Sequence, residues 1–311
     1  MSLPDWLVAD LGSHRNTYSP IWRGYLSDHL PMTAMALWQQ GVPREEIRAW
    51  MARYQKQLEP ISHVPEIDDW QDGAGDLRAY GALLAFFDKE IERLGEEGVV
   101  QRYLPELISG WVADAFHPLI RLGYARRFSC SGEVSAGLAY MAARGQNEHL
   151  DAMARAAIAG PITWPQSSPI PGRTFDERAR HYISNGDAVV HVPDDAARAY
   201  ALEVLDILNA THNFFALHLV TATHAFLVVT EGIDDIGVNL LAAGLIAGYA
   251  AAGAPGFVRD VAPQPFHTDF EHDIKLAFAV VELAERLGNP AYAASARVFG
   301  RPPVDIGKAD R

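Results

Sequence analysis

Apolar residues recur at intervals of three and four along most of this chain, the spacing of a helix face. Pro43-Arg-Glu-Glu suits a helical first turn, with proline and acids where the helix dipole favours them. It is followed by Ile47, Trp50, Met51, Tyr54 and Leu58 in helical register. Asp76 to Arg93 repeats the pattern with Leu77, Tyr80, Leu84, Phe87 and Ile91, and Val112 to Arg127 reads as a third helix. Pro193-Asp-Asp-Ala opens a long one reaching Leu208. Thr211 to Thr230 and Ile236 to Ala252 are nearly all apolar, which predicts burial on most sides. Ala242, Ala243, Gly244 and Gly248 suit close approach to a neighbouring helix. Asp269 to Leu287 is the last long helix. Strand signals are confined to the short β-branched run Ala188 to Val192. The pattern predicts an all-α fold, one multi-helix domain over residues 1–311. The Pro-rich stretch Gly160 to Gly172 is the clear loop and could divide two lobes.

Composition narrows the partners. The formal charge of -13 and the lack of a Lys/Arg run argue against nucleic acid and against a basic membrane patch. A single cysteine, Cys130, rules out an internal disulfide and a Cys-rich zinc site, and fits a reducing compartment. MSLPDWLVAD lacks the basic and apolar regions of a signal peptide, so a cytoplasmic location is expected. No Asp, Glu, Lys or Arg occurs from Ile207 to Thr230, but His212, Asn213, His218 and His224 suit a bilayer span poorly. Oligomeric state is left open, a homodimer included.

Among twelve histidines, four have informative surroundings. His29 lies in SDHLPM, where Asp28 can cap the helix that Pro31 helps to start. His117 precedes Pro118 in FHPLIRLGYA; the proline either kinks a helix at the histidine or marks a simple junction. His218 is surrounded by Phe214, Phe215, Leu217, Leu219 and Val220, and is expected to be buried. His212 and His224 lie six residues either side, about 120° away around the helix. His272 and Lys275, three apart, share a face. Lys275 is one of only four lysines, and Glu271 stands in the favourable position for a surface ion pair with it. The alternative is that both side chains are metal ligands. Imidazoles suit Zn, Cu, Fe and Ni. A lysine can join them only after losing its proton, for instance as a carbamate formed with carbon dioxide.

HLPM, YxxxLxFFxKEI (Tyr80 to Ile91, with Trp70 before it), FHPLIxLGYA, FFxxHLVT and HxxK occur in this order. Together they resemble the questin oxidase family of fungi and bacteria, from about residue 18 to 285. The resemblance implies an all-helical fold around a buried mononuclear non-haem iron. It also implies oxidation of an aromatic polyketide by ring cleavage or Baeyer–Villiger-like oxygen insertion. The implied ligands are His29, His117, His218, His272 and a carboxylated Lys275, with His224 as second choice for His218. Asp28 stands where Asn is usual in the family, and Arg121 where His is common. The expected partners are dioxygen and a small aromatic substrate, a phenol or hydroquinone. Trp22, Tyr25, Trp38, Phe116, Phe214 and Tyr124 are candidate pocket walls. Arg121 or Tyr124 is expected to steady an oxyanion, and Asp28 or Asp269 to act as base.

Two other readings compete. An HD-type metallophosphohydrolase would use the His272–Asp273 dipeptide, but the only later aspartates are Asp305 and Asp310. A non-catalytic helical binding protein would use its histidines for local hydrogen bonds and hold no metal.

Overall fold

The computed structural model describes residues 2–185, 189–234, 236–265 and 267–300. Asp305 and Asp310 lie outside these residues, as does Ala188 of the expected strand. The described residues form two compact units, one drawn from 1–148 and 228–236, the other from 149–227 and 237–300. The Pro-rich stretch 160–172 falls within the second.

In the first unit, α1 (Asp5–Arg15) is followed by a small antiparallel hairpin of β1 (Ile21–Trp22) and β2 (Leu26–Ser27). Then come α2 (Leu30–Gln39), α3 (Arg44–Tyr54), α4 (Tyr80–Leu107), α5 (His117–Arg127) and α6 (Ser131–Arg144). The hairpin is a departure from the sequence expectation; two residues per strand leave no alternation to read. Helix α6 is the hub. Its residues from Glu133 to Ala143 are all buried, and α1, α4 and α5 pack around it. Gly137 makes the approach of α5 possible: a Cβ there would lie 2.8 Å from Leu122 Cβ and 2.9 Å from Leu122 Cα.

The expected helix from Val112 to Arg127 is broken. Asp114, Ala115 and Phe116 have φ of 49°, 51° and 71°, three successive left-handed residues without a glycine, and α5 starts only at His117. Each such residue costs about 1–3 kcal/mol and persists only where its surroundings over-determine it. Pro118 therefore marks a helix start rather than a kink, in keeping with its fixed φ and missing N–H.

The second unit contains α7 (Glu148–Arg155), α8 (Phe175–Asn185), α9 (Ala196–Thr211), α10 (Phe214–Val229), α11 (Val238–Ala251), α12 (Phe270–Leu287) and α13 (Pro290–Phe299). Strands β3 (Ile158–Ala159) and β4 (His191–Val192) pair in parallel, so the one expected strand is present but shorter. Every residue of α11 from Leu240 to Ala251 is buried, as its continuous apolar run predicts, and α8 and α9 pack on it. Asp269 caps α12, accepting from the His272 backbone N–H at 3.0 Å. No helix among the described residues is long and apolar enough to cross a membrane.

Candidate metal centre

In the first unit, His29 and His117 are brought together from opposite ends of long intervening sequence. Their rings stack with centroids 4.7 Å apart and planes 11° apart. His29 is the N-cap residue of α2, half-buried, and Asp28 Oδ1 accepts from the Leu30 N–H at 3.0 Å. His117 is buried at the first position of α5, and its Nδ1 lies 2.5 Å from the Asp114 carbonyl oxygen. A carbonyl can only accept, so Nδ1 carries the proton and Nε2 presents a lone pair.

In the second unit, His218 on α10 meets His272 on α12. The His218 Nδ1 donates to the Phe214 carbonyl at 3.0 Å, and the His272 Nδ1 donates to Asp269 Oδ1 at 2.6 Å. Both protons are thus spoken for. The two Nε2 atoms, each left with a lone pair, face one another at 3.0 Å. Two lone pairs at that distance repel unless a proton or a cation stands with them. A proton held by His218 itself is disfavoured: burial, followed by the charge of Lys275, pushes the His218 pKa down to about 3. The arrangement fits a metal cation, whose imidazole ligands characteristically donate their other N–H to a carbonyl or carboxylate.

Lys275 is 1% exposed, against the expectation of a solvent-facing ion pair. On a helical wheel Lys275 falls in line with Glu271, Glu282 and Arg286, but its stretch of α12, from Ile274 to Val280, is buried throughout. Glu271 is only partly buried; burial, with Asp269 close by, pushes its pKa up to about 7. Phe214 stands edge-on to both imidazoles, 5.0 Å from the His218 ring and 4.7 Å from the His272 ring, while remaining 40% exposed.

The other expected site residues have distinct surroundings. Arg121 and Glu133 form a fully buried two-pronged ion pair, Nε to Oε2 at 2.7 Å and one Nη to Oε1 at 3.2 Å, with Asp28 a further 4.0 Å contact. Asp28 Oδ2 binds His14 Nε2 at 2.7 Å. Burial works to raise the Asp28 pKa, but His14 and Arg121 outweigh it and hold the carboxyl below its ordinary value. Tyr124 and Phe116 are buried, the first near Phe128 and the second against Trp111. Trp22 and Trp38 are partly buried, and Tyr25 is exposed. His224 is buried on α10, 4.0 Å from Glu282 and edge-on to Phe278. His212 caps α9 in a left-handed conformation.

Asp273 does not act with His272. Its carboxylate accepts from Thr268 N and Oγ1, both at 2.9 Å, and contacts His267 Nδ1 at 3.0 Å. The sequence does not reveal the groups that pin the imidazoles, the Asp114 and Phe214 carbonyls, and it offers Asp269 only as a base. For Phe214 and Asp269 a signal existed in the i−4 and i−3 spacing from each histidine. For Asp114 none did, because its carbonyl is aimed by the left-handed turn.

A family model described as questin oxidase-like matches residues 26–210, more than half of the 311-residue chain. The matched span carries His29 and His117, while His218, His272 and Lys275 lie beyond it. None of the curated proteins matches the chain.

Proposed function

Since this chain belongs to the questin oxidase-like family, we propose that it is a non-haem iron oxygenase. Its substrate is an aromatic polyketide or quinol, opened by ring cleavage or expanded by Baeyer–Villiger-like oxygen insertion. The family assignment supports an oxidase with polyketide-type substrates. The facing Nε2 atoms of His218 and His272, 3.0 Å apart, are the observation that carries the metal reading.

The residues that would hold Fe(II) are His29, His117, His218, His272 and Lys275. The iron, when bound, supplies dioxygen activation and the redox step. The protein contributes ligand geometry. Asp114, Phe214 and Asp269 fix three ring tautomers, so that Nε2 needs no reorientation to bind. Burial, the largest cause of the lowered His218 pKa, favours the neutral, metal-binding form of that ring whatever the state of Lys275. Burial of Lys275 favours its neutral amine, which adds carbon dioxide at nitrogen and releases a proton, giving a carbamate oxygen anion. That anion offsets part of the charge that four neutral imidazoles leave uncompensated.

Phe214 offers an exposed aromatic edge beside two ligands, suited to a planar substrate ring. Asp28 and Arg121 serve as supports in this reading. The Asp28 carboxylate is occupied by His14 and by the first N–H of α2, and the guanidinium by Glu133. Tyr124 is kept as the candidate donor to a developing oxyanion.

The test is anaerobic purification with Fe(II), metal analysis, and oxygen uptake with anthraquinols. About one iron per chain is expected, lost in His218→Ala and His272→Ala, with uptake dependent on iron. Protein that retains no transition metal and consumes no oxygen with any hydroquinone-like substrate refutes the proposal.

A further inference from the structure

The side chains of Ser27, Asp114 and Tyr140 form a buried cluster, with the half-buried Arg144 beside it, that none of the chemistry above employs. Tyr140, on α6, donates its hydroxyl proton to Asp114 Oδ2 at 2.8 Å. A phenol has one proton, so the Ser27 Oγ, 3.2 Å away, must donate to the Tyr140 oxygen. Burial, reinforced by the Asp114 charge, raises the Tyr140 pKa well above its ordinary value, which keeps the phenol protonated. Arg144 Nε, also from α6, lies 3.0 Å from the same Asp114 oxygen.

The two partners of Tyr140 are placed unusually. Ser27 is two residues before His29. Asp114 is three residues before His117 and supplies the carbonyl that accepts from the His117 Nδ1. One hydroxyl on a third, rigidly packed helix therefore ties together the two segments that carry the stacked imidazoles. Asp114 is also the first of the three left-handed residues, a conformation that local preference does not maintain. Its side chain is held by Tyr140 and Arg144, so its carbonyl is aimed by α6 rather than by its own backbone preference.

We propose that Tyr140 is a positioning residue: it sets the spacing of His29 and His117 and, through Asp114, the tautomer of His117. This inference rests on the metal reading above. It adds that metal affinity is controlled from α6 by a group that never touches the ion.

The experiment uses the full chain and Co(II) as probe, under anaerobic conditions, with affinity read by chelator competition and geometry by visible ligand-field absorption. Tyr140→Phe removes only the hydroxyl. Affinity is expected to fall about 10–100-fold, the usual range for loss of a group supporting a metal ligand, with a changed absorption spectrum. Tyr292→Phe is the control. It deletes a buried hydroxyl of the second unit that donates to the Ala201 carbonyl at 2.7 Å and shares no partner with Tyr140, and is expected to leave affinity and spectrum unchanged. Ser27→Ala is the second variant, should Tyr140→Phe not fold, and is expected to weaken Co(II) binding in the same direction. Wild-type affinity and spectrum in both Tyr140→Phe and Ser27→Ala, whatever their melting temperatures, overturn the inference alone. A wild-type chain that binds neither Co(II) nor Fe(II) overturns the iron reading and the inference with it.

Discussion

The Arg121–Glu133 pair gives a sharp test of what holds the first unit together. Both side chains are 1% exposed, and the shortest contact is 2.7 Å. At an effective dielectric of about 20, unit charges at that distance attract by roughly 6 kcal/mol. Glu133→Gln removes the charge and keeps the shape. The amide oxygen still accepts one hydrogen bond, but the guanidinium remains buried with only Asp28, 4.0 Å away and already present, to balance it. Breaking a buried pair on one side costs about 3–5 kcal/mol, and the retained hydrogen bond places this substitution near the lower end. At about 2–4 °C per kcal/mol, a fall of roughly 6–12 °C in melting temperature is expected. Calorimetry and urea titration of Glu133→Gln measure it. The double variant Arg121→Leu, Glu133→Leu is expected to recover most of the loss, because no unpaired charge is left. A loss below about 1 kcal/mol in the single variant, or no recovery in the double, refutes the argument.

Other consequences can be checked in the same preparations. Gly137→Ala puts a methyl within 3 Å of Leu122, so overpacking of α5 on α6 is expected to cost about 1–3 kcal/mol in urea unfolding. Glu271 has a native pKa of about 7 against an ordinary 4.5, so the native state binds its proton more tightly than the unfolded chain. Metal-free protein should therefore lose stability as pH rises from about 4.5 to about 7; Glu271→Gln should remove that slope and match wild type near pH 4. Unchanged slopes in the two proteins would contradict the raised pKa. Burial, with Glu133 beside it, pushes the Cys130 thiol up to about 12. No reaction with a thiol reagent is expected in native protein, and one equivalent after denaturation; rapid native labelling would show the thiol to be accessible.

Helix content was legible because it depends on neighbours three and four residues away. The apolar runs of α10 and α11 and the Asp269 cap of α12 all lie within single stretches of sequence. So do the i−4 and i−3 relations that pin His218 to Phe214 and His272 to Asp269. The ordered motifs resembling questin oxidases were equally local, and the family match bears that resemblance out.

What only the tertiary structure decided is non-local. The wheel grouped Lys275 with charged residues, yet the packing of the second unit buried it, since burial depends on what covers a face and not on the face's own period. Asp, Ala and Phe at 114–116 carry no glycine to announce a left-handed turn, and the partners of the Asp114 side chain, Tyr140 and Arg144, lie 26 and 30 positions later. Stacking of His29 on His117 spans 88 residues of chain, and the Nε2–Nε2 contact of His218 with His272 spans 54. Sequence spacing set which atoms each histidine could offer. Chain folding over those distances set which of them meet.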